Sequence, residues 1–195
     1  VEYIEVRCVD LNPLVAAGID ESTIQFLDTF LLFCLLEDSP ETNNEEYARI
    51  PQNNIRTVYQ GRDPSLHLLR DGSEVTLRDW GHELMASLEP IASLLDKAHN
   101  SDTYSEVLTA MEARLEDASS TPAAILLREM ADNNETYYGF AMRKAREQRD
   151  HFLQWPPTKE TADKYRDLAQ QSIWQQTEIE SNDKLPFGEF LANYR

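Results

Sequence analysis

Glu5 and Arg7 are the residues whose types and spacing most readily suggest chemistry. They stand two apart in the run Val1-Glu2-Tyr3-Ile4-Glu5-Val6-Arg7, and on a strand such positions share a face. A carboxylate is a hard oxygen ligand suited to Mg²⁺, and a guanidinium is a forked donor suited to a phosphate. Side by side they could hold a metal–nucleotide, Glu5 on the metal and Arg7 on the phosphoryl group. The same spacing also suits an exposed ion pair on an antiparallel sheet, and spacing alone leaves both readings open.

Other candidates are weaker. His67, His82, His99 and His151 are scattered along the chain. Glu147 and His151 have the i, i+4 spacing of a helical metal pair, which is also that of a solvated charge pair. Arg143, Lys144, Arg146 and Arg149 sit among Glu147 and Asp150, so a solvated or packing face is the expectation rather than an anion site. Arg62 follows Gly61 and precedes Pro64, where it could reach a ligand or a helix end. Tyr137, Tyr138 and Trp155 read as packing residues. The sequence contains no HExxH, P-loop, GxGxxG or GxSxG pattern.

The elements that must position these residues are mostly helices. Residues 2 to 9 alternate as a strand, with Ile4, Val6 and Cys8 on one face and Tyr3, Glu5 and Arg7 on the other. Asn12-Pro13 ends it. Asp20 can cap a helix to about Asp38, with Ile24, Leu27, Leu31 and Leu35 on its buried face. Residues 39–64 read as polar and irregular, with Ser39-Pro40, Asn43-Asn44 and Asn53-Asn54 as breakers and short helical turns around 45–50 and 54–60. Ser65–Leu69 and Glu74–Leu77 flank Asp71-Gly72 as a hairpin. Thr76 with Asp79, and Thr103 with Glu106, have capping-box spacing for helices to about Ala98 and Asp117. Thr121-Pro122 opens a helix to about Asp132. Amphipathic stretches follow at 135–153 and 159–180, the second with Tyr165, Leu168, Ile173 and Trp174 near one face, and a short helix covers 187–194. The fold class is α+β, mainly α, with one N-terminal strand and one small hairpin.

Composition bounds the function. The chain has 195 residues, 35 acidic against 18 basic, and a formal net charge of −17. Such a surface repels phosphate backbones and anionic lipid, so neither nucleic acid nor membrane is an expected partner. The longest apolar run, Phe26 to Leu36, is interrupted by Asp28 and Thr29 and is too short to span a bilayer. Cys8 and Cys34 lie in apolar runs without metal-site spacing, which predicts buried free thiols. With no signal-peptide pattern, the expected compartment is the cytoplasm. The chain opens inside a strand pattern without Met, and a strand's backbone needs partners. The expectation is one piece, 1–195, of a longer protein, with 1–13 contributing a sheet strand and 14–195 mostly helical.

The run Tyr3-Ile4-Glu5-Val6-Arg7-Cys8-Val9-Asp10-Leu11-Asn12-Pro13 resembles the Tyr-Ile-Glu-Val-Arg-x-x-Asp-x-Asn-Pro signature of proteobacterial glutamate–cysteine ligases. The likeness continues through Gly18-Ile19-Asp20-Glu21, Phe26-Leu27-Asp28, Cys34, Pro40-Glu41 and Gly61-Arg62-Asp63-Pro64-Ser65-Leu66-His67-Leu68. It thins to Ala124-Ile125-Leu126, Met130 and Pro186-Phe187 beyond about residue 70. The resemblance implies the C-terminal portion of such a ligase, its first strand belonging to a glutamine-synthetase-like antiparallel sheet. It implies an ATP-dependent joining of the glutamate γ-carboxyl to cysteine through a γ-glutamyl phosphate, the first step of glutathione synthesis. Glu5 would be one Mg²⁺ ligand, and Arg7 would contact ATP's transferred phosphate as the catalytic residue. The other metal carboxylates, the metal-binding histidine and most substrate pockets would lie in a missing N-terminal part, so this piece alone would be inactive. An acidic helical interaction module whose strand joins a partner's sheet, or a sibling carboxylate–amine ligase, remains an alternative.

Overall fold

A computed structural model describes residues 3–7 and 9–194, so Cys8 lies outside the described residues. The chain divides into two compact units, Val1–Gln148 and Arg149–Arg195. No described helix is long and apolar enough to cross a membrane.

The core of the first unit is three helices: α1 (Glu21–Leu36), α3 (Leu77–His99) and α4 (Thr103–Glu116). Leu88 and Ala92 of α3 are 0% exposed, and Met85, Tyr104 and Leu108 close the cluster with Phe26, Phe30 and Phe33 of α1 against it. Burying a Leu side chain in this way stabilises by roughly 1.5–3 kcal/mol. The face of α1 that packs therefore differs from the expected one. It runs Phe26–Thr29–Phe30–Phe33, while Ile24 and Leu35 are exposed. Almost every position of α1 from Phe26 to Leu36 is apolar, so periodicity could not choose the face, and the larger aromatic area took the core. Cys34 falls on the outer side and is exposed, not buried.

Asp20 caps α1 as expected, accepting from the Thr23 amide at 2.8 Å and its hydroxyl at 2.6 Å. Thr76 caps α3 by accepting from the Asp79 amide at 3.0 Å. The start of α4 departs from the Thr103/Glu106 expectation. Asp96, buried on α3, accepts from the Tyr104 amide at 2.9 Å, the Ser105 amide at 3.0 Å and the Ser105 hydroxyl at 2.6 Å. The cap comes from the neighbouring helix, which ties α4 to α3 and satisfies two otherwise orphan amides.

The expected turns at 45–50 and 54–60 are one helix, α2 (Asn44–Gln60), running through Pro51. Asn53 does not break it, because its side chain bonds outward. It donates to the Leu69 carbonyl and accepts from the Leu69 amide, both at 2.8 Å. Leu69 belongs to β1 (His67–Arg70), which pairs antiparallel with β2 (Ser73–Thr76), Leu68 opposite Val75. Asp71 and Gly72 both have positive φ, 49° and 80°, as a two-residue hairpin turn of the primed type requires. This hairpin is the only sheet among the described residues, and residues 3–7 carry no regular secondary structure there. A strand exists by exchanging hydrogen bonds with a neighbour, and no neighbour is present for this segment among the described residues.

After a 3-10 turn at Ala118–Ser120 come α5 (Pro122–Asp132), capped by Thr121, and α6 (Tyr137–Leu153). Tyr137 and Tyr138 are exposed rather than packed. The second unit holds α7 (Lys159–Asn182) and α8 (Phe187–Tyr194). Its large apolar residues, Trp155, Tyr165, Leu168, Ile173 and Trp174 included, are exposed.

The Asp96 cap makes a prediction. Burial pushes its pKa upward, but the Ser105 hydroxyl and the Tyr104 and Ser105 amides outweigh that and hold it below the ordinary 3.8. A carboxyl lowered on folding adds stability above its unfolded pKa and loses it as pH falls through the folded one. Asp96→Ala should cost about 2 kcal/mol at pH 7 by urea unfolding. The loss of stability on acidification below about pH 4 should also be shallower in the variant than in the parent protein.

Candidate functional site

Glu5 and Arg7 are brought together as their spacing predicted. An Arg7 Nη2 donates to Glu5 Oε2 at 2.9 Å, and the side chains are 82% and 50% exposed respectively. Among the described residues neither has another charged partner. The pair is thus accessible, and the second carboxylate oxygen of Glu5 accepts no hydrogen bond there.

What holds this segment is the turn that follows it. The Asn12 amide donates to the Gly18 carbonyl at 2.7 Å, closing a loop in which the Val15 amide reaches Asn12 and the Gly18 amide reaches Val15. The Asn12 side chain accepts from the Leu14 amide at 3.1 Å, an Asx-type bond typical of the residue before proline. Gly18 has φ +76°, and a Cβ there would lie 2.2 Å from Leu11 Cδ2. From across the unit Gln148 of α6 donates through Nε2 to the carbonyls of Pro13 and Val15, at 2.9 and 3.1 Å.

Beneath residues 9–13 opens a groove of about 770 Å³, with Asp10, Asn12, Thr23, Arg114 and Tyr137 among its walls. Small-molecule sites typically run from roughly 300 to 1,000 Å³. Arg114 has no carboxylate partner among the described residues and donates only to the Met111 sulfur, at 3.1 Å.

The other sequence candidates do not converge. His67 lies on β1 against the Ser65 carbonyl, and His99 packs on Tyr104. His82 sits between Glu112 and Glu116 at 3.0 and 2.8 Å, with Arg78 also on Glu116. That Arg78 contact holds the Glu116 carboxyl below its ordinary range. His151 stands edge-on to Phe152. Glu147 pairs with Arg143 and Lys144. Among the described residues no three His, Cys, Asp or Glu side chains gather as a metal site.

The basic cluster of α6 divides between the two expected readings: Arg143 and Lys144 pack, while Arg146 and Arg149 are exposed. Arg143 pairs with Glu135 at 2.9 Å and Glu129 at 3.4 Å, and Lys144 pairs with Glu129 at 2.8 Å. Both cations lie over the buried Phe140 ring. Lys144 first, then Arg143, holds Glu129 below its ordinary pKa, and Arg143 does so for Glu135. Arg62 is exposed just past α2. Sequence reasoning missed Gln148, for a glutamine on the polar side of a helix carries no local signal. Gly18 appeared only as part of a motif.

The family profile described as "Glutamate-cysteine ligase" matches residues 1–58. Glutamate–cysteine ligases of Pseudomonas putida and Alcanivorax borkumensis are 38% and 36% identical to the chain over 195 and 194 residues. Each alignment takes in 100% of the chain and 37% of the relative, so the chain spans little more than a third of these relatives' length. A crystal structure of the Francisella tularensis glutamate–cysteine ligase in complex with AMP superposes with a TM-score of 0.82 at 27% identity, covering 97% of this chain and 37% of that one.

The turn yields a prediction. Gly18→Ala should cost about 1 kcal/mol, since a side chain in the left-handed region is strained wherever it points. The exposed Leu11 tip can move aside. Thermal unfolding would show the loss, and a variant as stable as the parent would mean the turn relaxes freely.

Proposed function

We propose that this chain, similar over its whole length to glutamate–cysteine ligases, is the C-terminal portion of such an enzyme and supplies part of its ATP-dependent catalytic centre. The observation that carries the reading is the exposed Glu5–Arg7 pair, set on the segment where the family profile matches. The AMP held by the Francisella relative supports a nucleotide as one ligand.

In this reading glutamate's γ-carboxylate attacks the terminal phosphorus of ATP, and the bond to the bridging oxygen breaks to release ADP. The amine of cysteine then adds to the carbonyl of the γ-glutamyl phosphate, loses a proton, and expels phosphate to leave the amide. Arg7 places its fork on the phosphoryl oxygens and offsets the charge they carry through transfer. Glu5 fits one Mg²⁺ ligand position, since Mg²⁺ commonly takes one or two carboxylates beside substrate phosphates. The metal would supply further neutralisation of the same oxygens. In the free pair the two groups share one hydrogen bond, and ligand binding would exchange that contact for phosphate and metal.

Residues 3–7 complete the centre by joining an antiparallel sheet formed with the rest of the protein, which would cover Ile4 and Val6 on the face opposite Glu5 and Arg7. Those side chains are exposed here, and burying them would stabilise the joint. The proposed compartment is the cytoplasm, where ATP, glutamate and cysteine are available.

In the intact protein, Glu5→Gln and Arg7→Ala should each lower turnover on the order of 100-fold, read as ADP release with glutamate and cysteine present. Stability should change by less than about 0.5 kcal/mol if these side chains remain at the open site. Near-parental turnover in either variant would remove the corresponding metal or phosphate role.

A further inference from the structure

We infer that Gln148 is a positioning residue for the Glu5–Arg7 segment: its side-chain amide fastens to α6 the turn from which that segment leaves the helices. The inference rests on the ligase reading above. Among the described residues no hydrogen bond ties residues 3–11 to the helical part of the unit, and the next along the chain, Asn12 to Gly18, lies within the turn. The direction of the segment therefore depends on where the turn is held. The turn's internal bonds set its shape but not its place. Its place is set at one end by Asp20, which caps α1, and at the other by Gln148.

The chemistry of Gln148 suits that task. Nε2 carries two hydrogens and meets two carbonyls, Pro13 at 2.9 Å and Val15 at 3.1 Å. Only the nitrogen end of the amide can serve two acceptors, which fixes its orientation. Gln148 is the only hydrogen-bond partner of the Pro13 carbonyl among the described residues. The helix behind it is itself anchored by Phe140, which is fully buried. A rigid helix thus reaches, through one amide, the stretch of chain that leads back to Glu5 and Arg7. Displacement of such a support by about 1 Å can cost far more in rate than in stability.

The test uses the intact protein. Gln148→Glu keeps the size but replaces both donors with oxygens that face carbonyl oxygens, whereas Gln148→Lys keeps a donor group. Glu135→Gln weakens an ion pair to the same helix without touching the turn. We expect Gln148→Glu to lower kcat about tenfold while the KM values for glutamate, cysteine and ATP stay within about twofold. Gln148→Lys should recover most of kcat, and Glu135→Gln should leave it unchanged even where it lowers Tm. Parental kcat in Gln148→Glu beside an inactive Glu5→Gln overturns the positioning role alone. So does a Glu135→Gln that loses as much kcat for the same fall in Tm. An active Glu5→Gln overturns the site reading on which the inference rests.

Discussion

Everything in the first unit that could act on a ligand depends on the packing of α1 against the paired helices α3 and α4. Leu88 and Ala92 are sealed against the phenylalanines of α1, and Asp96 locks the start of α4 to α3. That places the N-terminus of α1, and with it Asp20 and the loop Asn12–Gly18. The loop in turn carries the segment with Glu5 and Arg7. The order of dependence runs from an apolar contact to a cap, from the cap to a turn, and from the turn to an exposed ion pair. Each step is held by groups with few alternatives: a buried apolar face, a carboxylate with three donors, a glycine at positive φ.

The electrostatics follow the same division. Two of the basic side chains of α6, Arg143 and Lys144, are spent on carboxylates around Phe140, where they hold Glu129 and Glu135 below their ordinary pKa. A net charge of −17 would disfavour an anionic nucleotide at long range. Screening confines that repulsion to roughly 8 Å at physiological ionic strength. A single guanidinium at the point of contact therefore weighs more than the sum over the surface. Arg7 can therefore play its proposed phosphate role on a chain whose net charge is negative.

Much of this was legible in the sequence, for stated reasons. Caps depend on residues two or three apart, so Asp20, Thr76 and Thr121 were readable, and so was the Asp71-Gly72 hairpin. The likeness of residues 3–13 to a ligase signature agrees with the family match over residues 1–58. What escaped depends on contacts between distant residues. Asp96 caps a helix eight residues on, displacing the expected Thr103 cap. Asn53 looked like a breaker because its partner, Leu69, lies in another element. The buried face of α1 was ambiguous because nearly all its positions are apolar. Gln148 meets carbonyls more than 130 residues away. The Glu5–Arg7 pairing and its exposure were one of the two readings left open by the spacing; the strand expected to carry the pair is not formed among the described residues, because a strand depends on a neighbour.

The central claim is that this chain contributes to a centre that couples ATP cleavage to the joining of two amino acids. The most direct measurement is ADP release by the intact protein with ATP and Mg²⁺, with glutamate and cysteine both present and each withheld in turn. The account predicts steady ADP release only when both amino acids are present, with γ-glutamylcysteine formed in equal amount. ADP release indifferent to either amino acid, or none under any combination, would contradict it.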